Sequence, residues 1–256
     1  MLIDSHTHLY LAEFDADREE MIQRAIGAGV GRFYLPNIDA ASVPAMLELE
    51  TRHPEECHAM MGVHPCSIKE DYKKELAAAE KWLARRPFAA VGEIGIDLYW
   101  DQTFIEEQKE AFNTQTGWAK ELGLPIVIHS RNSMDMVIEL LKKANDERLR
   151  GILHCFSGTL EQAQEIMNLG FFLGIGGVLT YKNSGLAEVI KQVPLEYLVL
   201  ETDAPYLSPV PYRGKRNESA FIRLIAEKLA EAKNLDIEAV AVGTTTNVEK
   251  IFAKKR

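Results

Sequence analysis

Eight short β-rich runs alternate with amphipathic helical patterns along this chain, and that alternation restricts the fold more than any other feature. The runs are residues 2–4, 32–35, 59–63, 89–92, 126–128, 151–153, 171–175 and 198–200. Between them lie helical patterns at 18–28, 42–52, 74–85, 105–122, 134–144 and 160–169, and two more follow at 218–233 and 237–252. In the 105–122 segment Phe112, Gln115, Trp118 and Leu122 recur at spacings of three and four, which puts them on one stripe. Gly29, Gly123 and Gly170 stand just past helical patterns, where a left-handed cap residue is expected. Eight strand–helix repeats in 256 residues predict an α/β fold, a (β/α)₈ TIM barrel with extra C-terminal helices. A doubly wound open sheet is the alternative, but it would usually place a glycine-rich phosphate loop after the first strand. Here that strand runs into Asp4-Ser5-His6-Thr7-His8. With no linker or low-complexity segment, residues 1–256 read as one domain.

Composition narrows the setting. No apolar run approaches the roughly 20 residues a membrane span needs. No basic region precedes an apolar core at the N-terminus, so no signal peptide is expected. Cys57, Cys66 and Cys155 lack disulfide or zinc-finger spacing and read as reduced thiols of a cytoplasmic protein. The formal charge is −9, which argues against tight coating of nucleic acid. Action on DNA remains possible if bound cations and a local basic patch supply the positive field. Arg213-Gly214-Lys215-Arg216 is the compact basic cluster near other site-like residues, while Lys254-Lys255-Arg256 reads as a solvated helix end.

The chemistry stands at the strand ends. Strand one leads into His6 and His8, strand three into His64, strand four into Glu93, strand five into His129, strand six into His154 and strand eight into Asp203. Five of the seven histidines occupy such ends; His53 and His58 do not. In a barrel these ends converge on one mouth, where active sites are built. Imidazoles and carboxylates together suit a divalent metal, and the nitrogen donors favour zinc and transition metals over magnesium. Four imidazoles and two carboxylates are too many ligands for one ion that keeps an open position. They suit two ions about 3.5–4 Å apart. The expected partition gives His6, His8 and Asp203 to one ion, His129 and His154 to the other, and Glu93 to both. Zinc, manganese, magnesium, iron and nickel are not distinguished at this level.

Around that set, His64 reads as a substrate or water contact. Arg131 is either a phosphate contact or a rim salt bridge. Tyr212 and Arg213 suit base stacking and a phosphate contact, or an ordinary connection. Asp97 and Trp100 follow Glu93, and Asp97 either orients a ligand or caps the next helix.

The segments DSHTHL, GVHP, GEIGID, IHSR, HCFSG and ETDAPYL, in this order, resemble the TatD family of metal-dependent hydrolases. The likeness runs from Asp4 to about Asn217. It implies a (β/α)₈ barrel of the amidohydrolase-like type and a metal-dependent deoxyribonuclease, some members being 3′ exonucleases on single strands. It implies the same ligands, His6, His8, Glu93, His129, His154 and Asp203, with Asp203 also as general base. DNA would then be a transient substrate, and no membrane or obligatory protein partner is expected. The family's Arg-Asn-Glu-Pro run reads here Arg216-Asn217-Glu218-Ser219, which predicts a slightly looser helix start. Cys66 stands where many members carry another histidine. Two alternatives stay open: hydrolysis of an amide or ester such as aminoacyl-tRNA or a lactone, and a non-enzymatic metal-binding protein. A lysine at strand four marks many amide-cleaving barrels; this chain has Glu93.

Overall fold

A computed structural model describes residues 1–253; the basic triplet Lys254-Lys255-Arg256 lies outside the described residues. The strands are β1 (Leu2–Asp4), β2 (Val30–Leu35), β3 (Cys57–Ala59), β4 (Val91–Asp97), β5 (Ile126–Arg131), β6 (Gly151–Leu153), β7 (Phe172–Ile175) and β8 (Leu198–Leu200). The helices are α1 (Arg18–Gly27), α2 (Val43–Arg52), α3 (Tyr72–Arg85), α4 (Ile105–Leu122), α5 (Met134–Ala144), α6 (Leu160–Asn168), α7 (Leu186–Ile190), α8 (Ile222–Lys233) and α9 (Ile237–Phe252). All strand pairs are parallel, in the orders β1-β2-β3 and β4 through β8. Backbone hydrogen bonds join both seams. Met61 N–H reaches Ala90 O and Gly92 N–H reaches Met61 O, each at 3.1 Å. Ser5 N–H reaches Leu200 O at 3.0 Å and Asp203 N–H reaches His6 O at 2.9 Å. The result is the TIM-barrel fold.

Parity along the strands explains both the core and the site. Ile3, Tyr34, Met60, Ala90, Val127, Ile152, Phe172 and Val199, one from each strand or its flank, form one buried cluster. Val248 and Ile251 of α9 join it, and Phe252 stacks on Tyr34 with centroids 3.9 Å apart. The C-terminal helix thus closes one end of the barrel. Side chains two residues further on share the inward face. There stand Gly62, Gly92, His129, His154, Gly174 and Glu201. Gly62 and Gly92 let neighbouring strands approach closely, and Gly174 leaves room for the Glu201 carboxylate in that layer. A Cβ on Gly174 would sit 2.2 Å from Glu201 Oε2.

Several boundaries differ from the sequence reading. β4 and β5 run further than the short apolar runs at 89–92 and 126–128, so Glu93 and His129 lie inside strands. Glycines 92 and 95 made β4 look interrupted, but pairing of Gly95 with His129 and of Asp97 with Arg131 extends both strands. β3 ends at Ala59, and only Met61 continues as a bridge to Val91. The α4 stripe is buried at Phe112 and Gln115, yet its last member Leu122 is exposed. Gly29, Gly123 and Gly170 do adopt the left-handed conformation, with φ of 93°, 67° and 84°. The short helix α7 was not anticipated. α8 starts at Ile222, because Ser219 opens a separate 3₁₀ turn. The Ser219 hydroxyl donates to Asp4 Oδ2 at 2.6 Å, so it is a buried anchor and no looser helix start.

α4 clamps two site-bearing segments with glutamines seven residues apart, hence on one helix face. Gln108 Oε1 accepts from Asp97 N–H at 2.9 Å, and Gln115 Oε1 accepts from Val63 N–H at 2.7 Å. Each amide also donates back, at 3.2 Å, to the carbonyl of the same residue.

Gly95 gives a test of this packing. Its φ is +147°, and a Cβ there would lie 2.0 Å from His129 O. Gly95→Ala is expected to lower stability by about 3 kcal/mol through overpacking and backbone strain, measured as an earlier urea midpoint.

Candidate metal centre

Glu93 is buried on β4 with a different set of neighbours at each carboxylate oxygen. Oε2 lies 3.1 Å from His6 Nε2 and 3.6 Å from His8 Nε2. Oε1 lies 2.8 Å from His154 Nε2, 3.0 Å from His129 Nδ1 and 3.4 Å from His64 Nε2. Asp203 Oδ1 stands 3.6 Å from both His6 Nε2 and His8 Nε2. The six residues expected as ligands therefore meet in one place, and His64 joins them. Three groups have geometry that could hold an ion: His6, His8 and Asp203; His6, Glu93 and His154; His64, Glu93 and His129. The first is the expected trio. His154 and His129 separate into different groups, although their facing nitrogens are only 3.3 Å apart.

Outer hydrogen bonds fix which nitrogen faces inward. The Tyr10 hydroxyl donates to Pro36 O at 2.6 Å, so its oxygen accepts from His8 Nδ1 at 3.1 Å and leaves His8 Nε2 facing the acids. Asp97 Oδ2 accepts from His129 Nε2 at 2.9 Å and leaves Nδ1 facing Glu93. Asp97 Oδ1 meanwhile accepts from Tyr99 and Trp100 N–H, so the aspartate orients a ring and holds the loop after β4, while the helix that follows, α4, has Phe104 at its N-cap and is not capped by Asp97. His64 is the reverse case. Its Nδ1 accepts from Cys66 N–H at 3.0 Å, which in the neutral ring puts the proton on Nε2, toward Glu93.

Glu201 escaped the sequence reading. It is fully buried, its Oε1 accepts from Cys155 N–H and stands 3.6 Å from His154 Nδ1. Strand parity held the signal, since Glu201 follows Val199 as His129 follows Val127.

The outer residues behave differently. Arg131 makes no salt bridge among the described residues; its guanidinium lies 3.9 Å over the Tyr99 ring and 5.3 Å over Trp100. Tyr212 stacks on Phe221 and Arg213 on Tyr181, at centroid distances of 4.2 and 4.5 Å, and neither is among the groups at Glu93. Arg216 is spent on a two-pronged bridge to Asp17, at 2.7 and 2.8 Å. Asn217 Nδ2 donates to Thr202 O and Tyr206 O, both at 2.7 Å, and thereby anchors the turn that carries Asp203. Asp203 itself holds a left-handed φ of 55°, a strained conformation of the kind that gathers at functional sites.

Electrostatics ask for a cation. Burial drives the Glu93 carboxyl up, but the imidazoles of His154, His64 and His6 outweigh it and hold it well below the usual carboxylate range. Burial pushes Asp203 up to about 6. Burial, then His154, push His6 well below the ordinary imidazole value, so it presents a neutral ring. Burial opposes charge on His129 and His154 too, yet Asp97 and Glu93 raise the first, and Glu93 and Glu201 raise the second. Both ring nitrogens of His6 are buried without a hydrogen bond, even with Nε2 so near Glu93. Lone pairs that converge off-line on carboxylate oxygens fit a metal ion, and the donor types suit one.

The comparisons agree with this chemistry. A family model described as TatD related DNase matches residues 3–253. An uncharacterized metal-dependent hydrolase of Bacillus subtilis, YabD, is 38% identical, covering 98% of this chain and 99% of its own. The 3′-5′ ssDNA/RNA exonuclease TatD of Erwinia tasmaniensis is 33% identical over 98% and 99%. The crystal structure of YjjV, a TatD homologue from Escherichia coli, superposes with a TM-score of 0.93 at 33% identity, covering 98% and 97%. A match across nearly the whole chain, on a barrel whose mouth gathers imidazoles and carboxylates, shows that the protein belongs to the TatD family of metal-dependent hydrolases.

Proposed function

We propose that this protein cleaves phosphodiester bonds of DNA with two divalent ions. His6, His8 and Asp203 would hold one, His129 and His154 the other, and Glu93 would bridge them. The observation that carries the reading is the split environment of Glu93, whose two oxygens face separate sets of imidazoles. The name of the Erwinia relative supports a nucleic-acid substrate. The three free thiols suit a reducing compartment such as the cytoplasm.

Divalent ions bound there supply positive charge against a phosphate and acidify a water molecule. Asp203, whose Oδ1 stands beside His6 and His8, would accept that water's proton. His64 offers its Nε2 proton to a substrate oxygen. Arg131, which has no carboxylate partner among the described residues, keeps its guanidinium free for a phosphate oxygen.

Three measurements test the proposal. Glu93→Ala is expected to lose bound metal and turnover together; activity with normal metal content would overturn the bridge. Asp203→Asn is expected to lower kcat by about a hundredfold to ten-thousandfold with KM little changed. A pH–rate profile identical to wild type would remove its role as base. The third concerns protons. His129 and His154 are raised above the ordinary imidazole value, so they keep protons above that value as well as below it, and a metal must displace them. Affinity should therefore rise with pH, by about tenfold per unit for each proton displaced. Calorimetry between about pH 6 and pH 8 in two buffers of different ionisation enthalpy reads this directly. A pH-independent affinity with no proton release would refute it.

A further inference from the structure

We propose that Tyr99, Trp100 and Arg131 form a stacking subsite for one unpaired base of the nucleic-acid strand. This deepens the phosphodiesterase reading above and rests on it for the identity of the strand. Trp100 and Tyr99 are 69% and 53% exposed, unusual for large aromatic side chains. Their rings meet edge to face at 4.8 Å, and the Arg131 guanidinium lies over both. No carboxylate among the described residues pairs with Arg131. The exposed indole of Trp100, braced edge to face by Tyr99 and beside a guanidinium with no carboxylate partner among the described residues, suits a ligand that is itself flat and anionic. A nucleotide within a single strand has both properties, whereas a base inside a duplex presents no free face.

The placement argues for the same ligand as the centre. Asp97 binds His129 through Oδ2 and the Tyr99 and Trp100 amides through Oδ1. One carboxylate therefore fixes both the metal-side imidazole and the loop that carries the aromatics. Leu98 N–H donates to Arg131 O at 2.9 Å, and Lys69 Nζ holds Asp101 Oδ2 at 2.7 Å, which anchor the loop on either side of the pair. Arg131 follows His129 by two residues on β5, so the two share a face of the strand. Tyr212, the aromatic expected to stack on a base, is itself stacked on Phe221 and is less exposed than Trp100.

The test compares two strands with equal phosphate charge, a short oligothymidylate and an abasic chain of the same length. Binding to the metal-loaded full chain is measured with phosphorothioate linkages throughout both strands, so that little turnover intervenes. The wild-type protein is expected to prefer the base-bearing strand by about fivefold to a hundredfold, and only that strand should quench tryptophan fluorescence. In Trp100→Ala the preference should fall to less than threefold. Melting of that variant within a few degrees of wild type shows that it folds; if it does not, Trp100→Phe substitutes, and is expected to lose the quench but keep most of the preference. Equal binding of the two strands by wild type, binding of neither, or an undiminished preference in a folded Trp100→Ala overturns the subsite. A protein that prefers the base-bearing strand yet cleaves no phosphodiester when loaded with metal retains the subsite and loses the nuclease reading. Cleavage without the preference does the reverse.

Discussion

A single buried carboxylate governs this site. Glu93 carries a charge that the barrel interior would normally forbid, and five imidazoles make that charge tolerable. The dependence runs both ways. Without Glu93, protonated rings at His129 and His154 would repel one another across 3.3 Å. Without the rings, the carboxyl would take up a proton. The cluster is therefore balanced only as a set, and protons or metal ions supply the positive charge that completes it.

The surrounding structure spends its polar groups on aiming these rings. Tyr10, Asp97 and Cys66 each hold one outer nitrogen, and they sort the histidines into two kinds. His8 and His129 turn a potential lone pair inward; His64 turns a proton inward. Glu201, with Gly174 leaving space beside it, flanks His154. Further out, Gln108 and Gln115 fasten the chain beside Asp97 and His64 to α4. Ser219, Asn217 and Arg216 tie the far side to β1, to the turn after β8 and to the residue that caps α1. Basic residues near an active site can look like substrate contacts in a sequence, yet Arg216 is a strut.

Much of this was legible in the sequence because barrels convert strand order into spatial proximity. Strand–helix alternation gave the fold, and histidines at apolar run ends gave the site. Other features lay beyond it for physical reasons. The true extent of β4 depends on pairing with β5 across two glycines, which no local propensity contains. The exposure of Leu122 depends on where the neighbouring elements end. The left-handed turn at Asp203 is imposed by hydrogen bonds from Asn217, fourteen residues downstream of it, to the carbonyls of Thr202 and Tyr206. Glu201 is different: the parity rule that placed His129 also reaches it. The strand-end pattern alone points past it to Asp203.

The division of the barrel follows from one geometric fact. Strands alternate their side chains, so a site at one level requires apolar packing at the next level down. Ile3, Val127, Ile152 and Val199 supply that floor, and α9 seals it from below with Val248 and Ile251. A sealed floor keeps solvent from reaching the cluster from beneath, which preserves the low-dielectric setting in which Glu93 and the imidazoles interact strongly. The open face then belongs to the loops. The loop after β4 carries the exposed aromatics, beside Arg131 at the end of β5, while Glu93 and His129 stand within β4 and β5. Stability and recognition are thus assigned to opposite ends of the same strands, and Asp97, last residue of β4, is the hinge point that belongs to both.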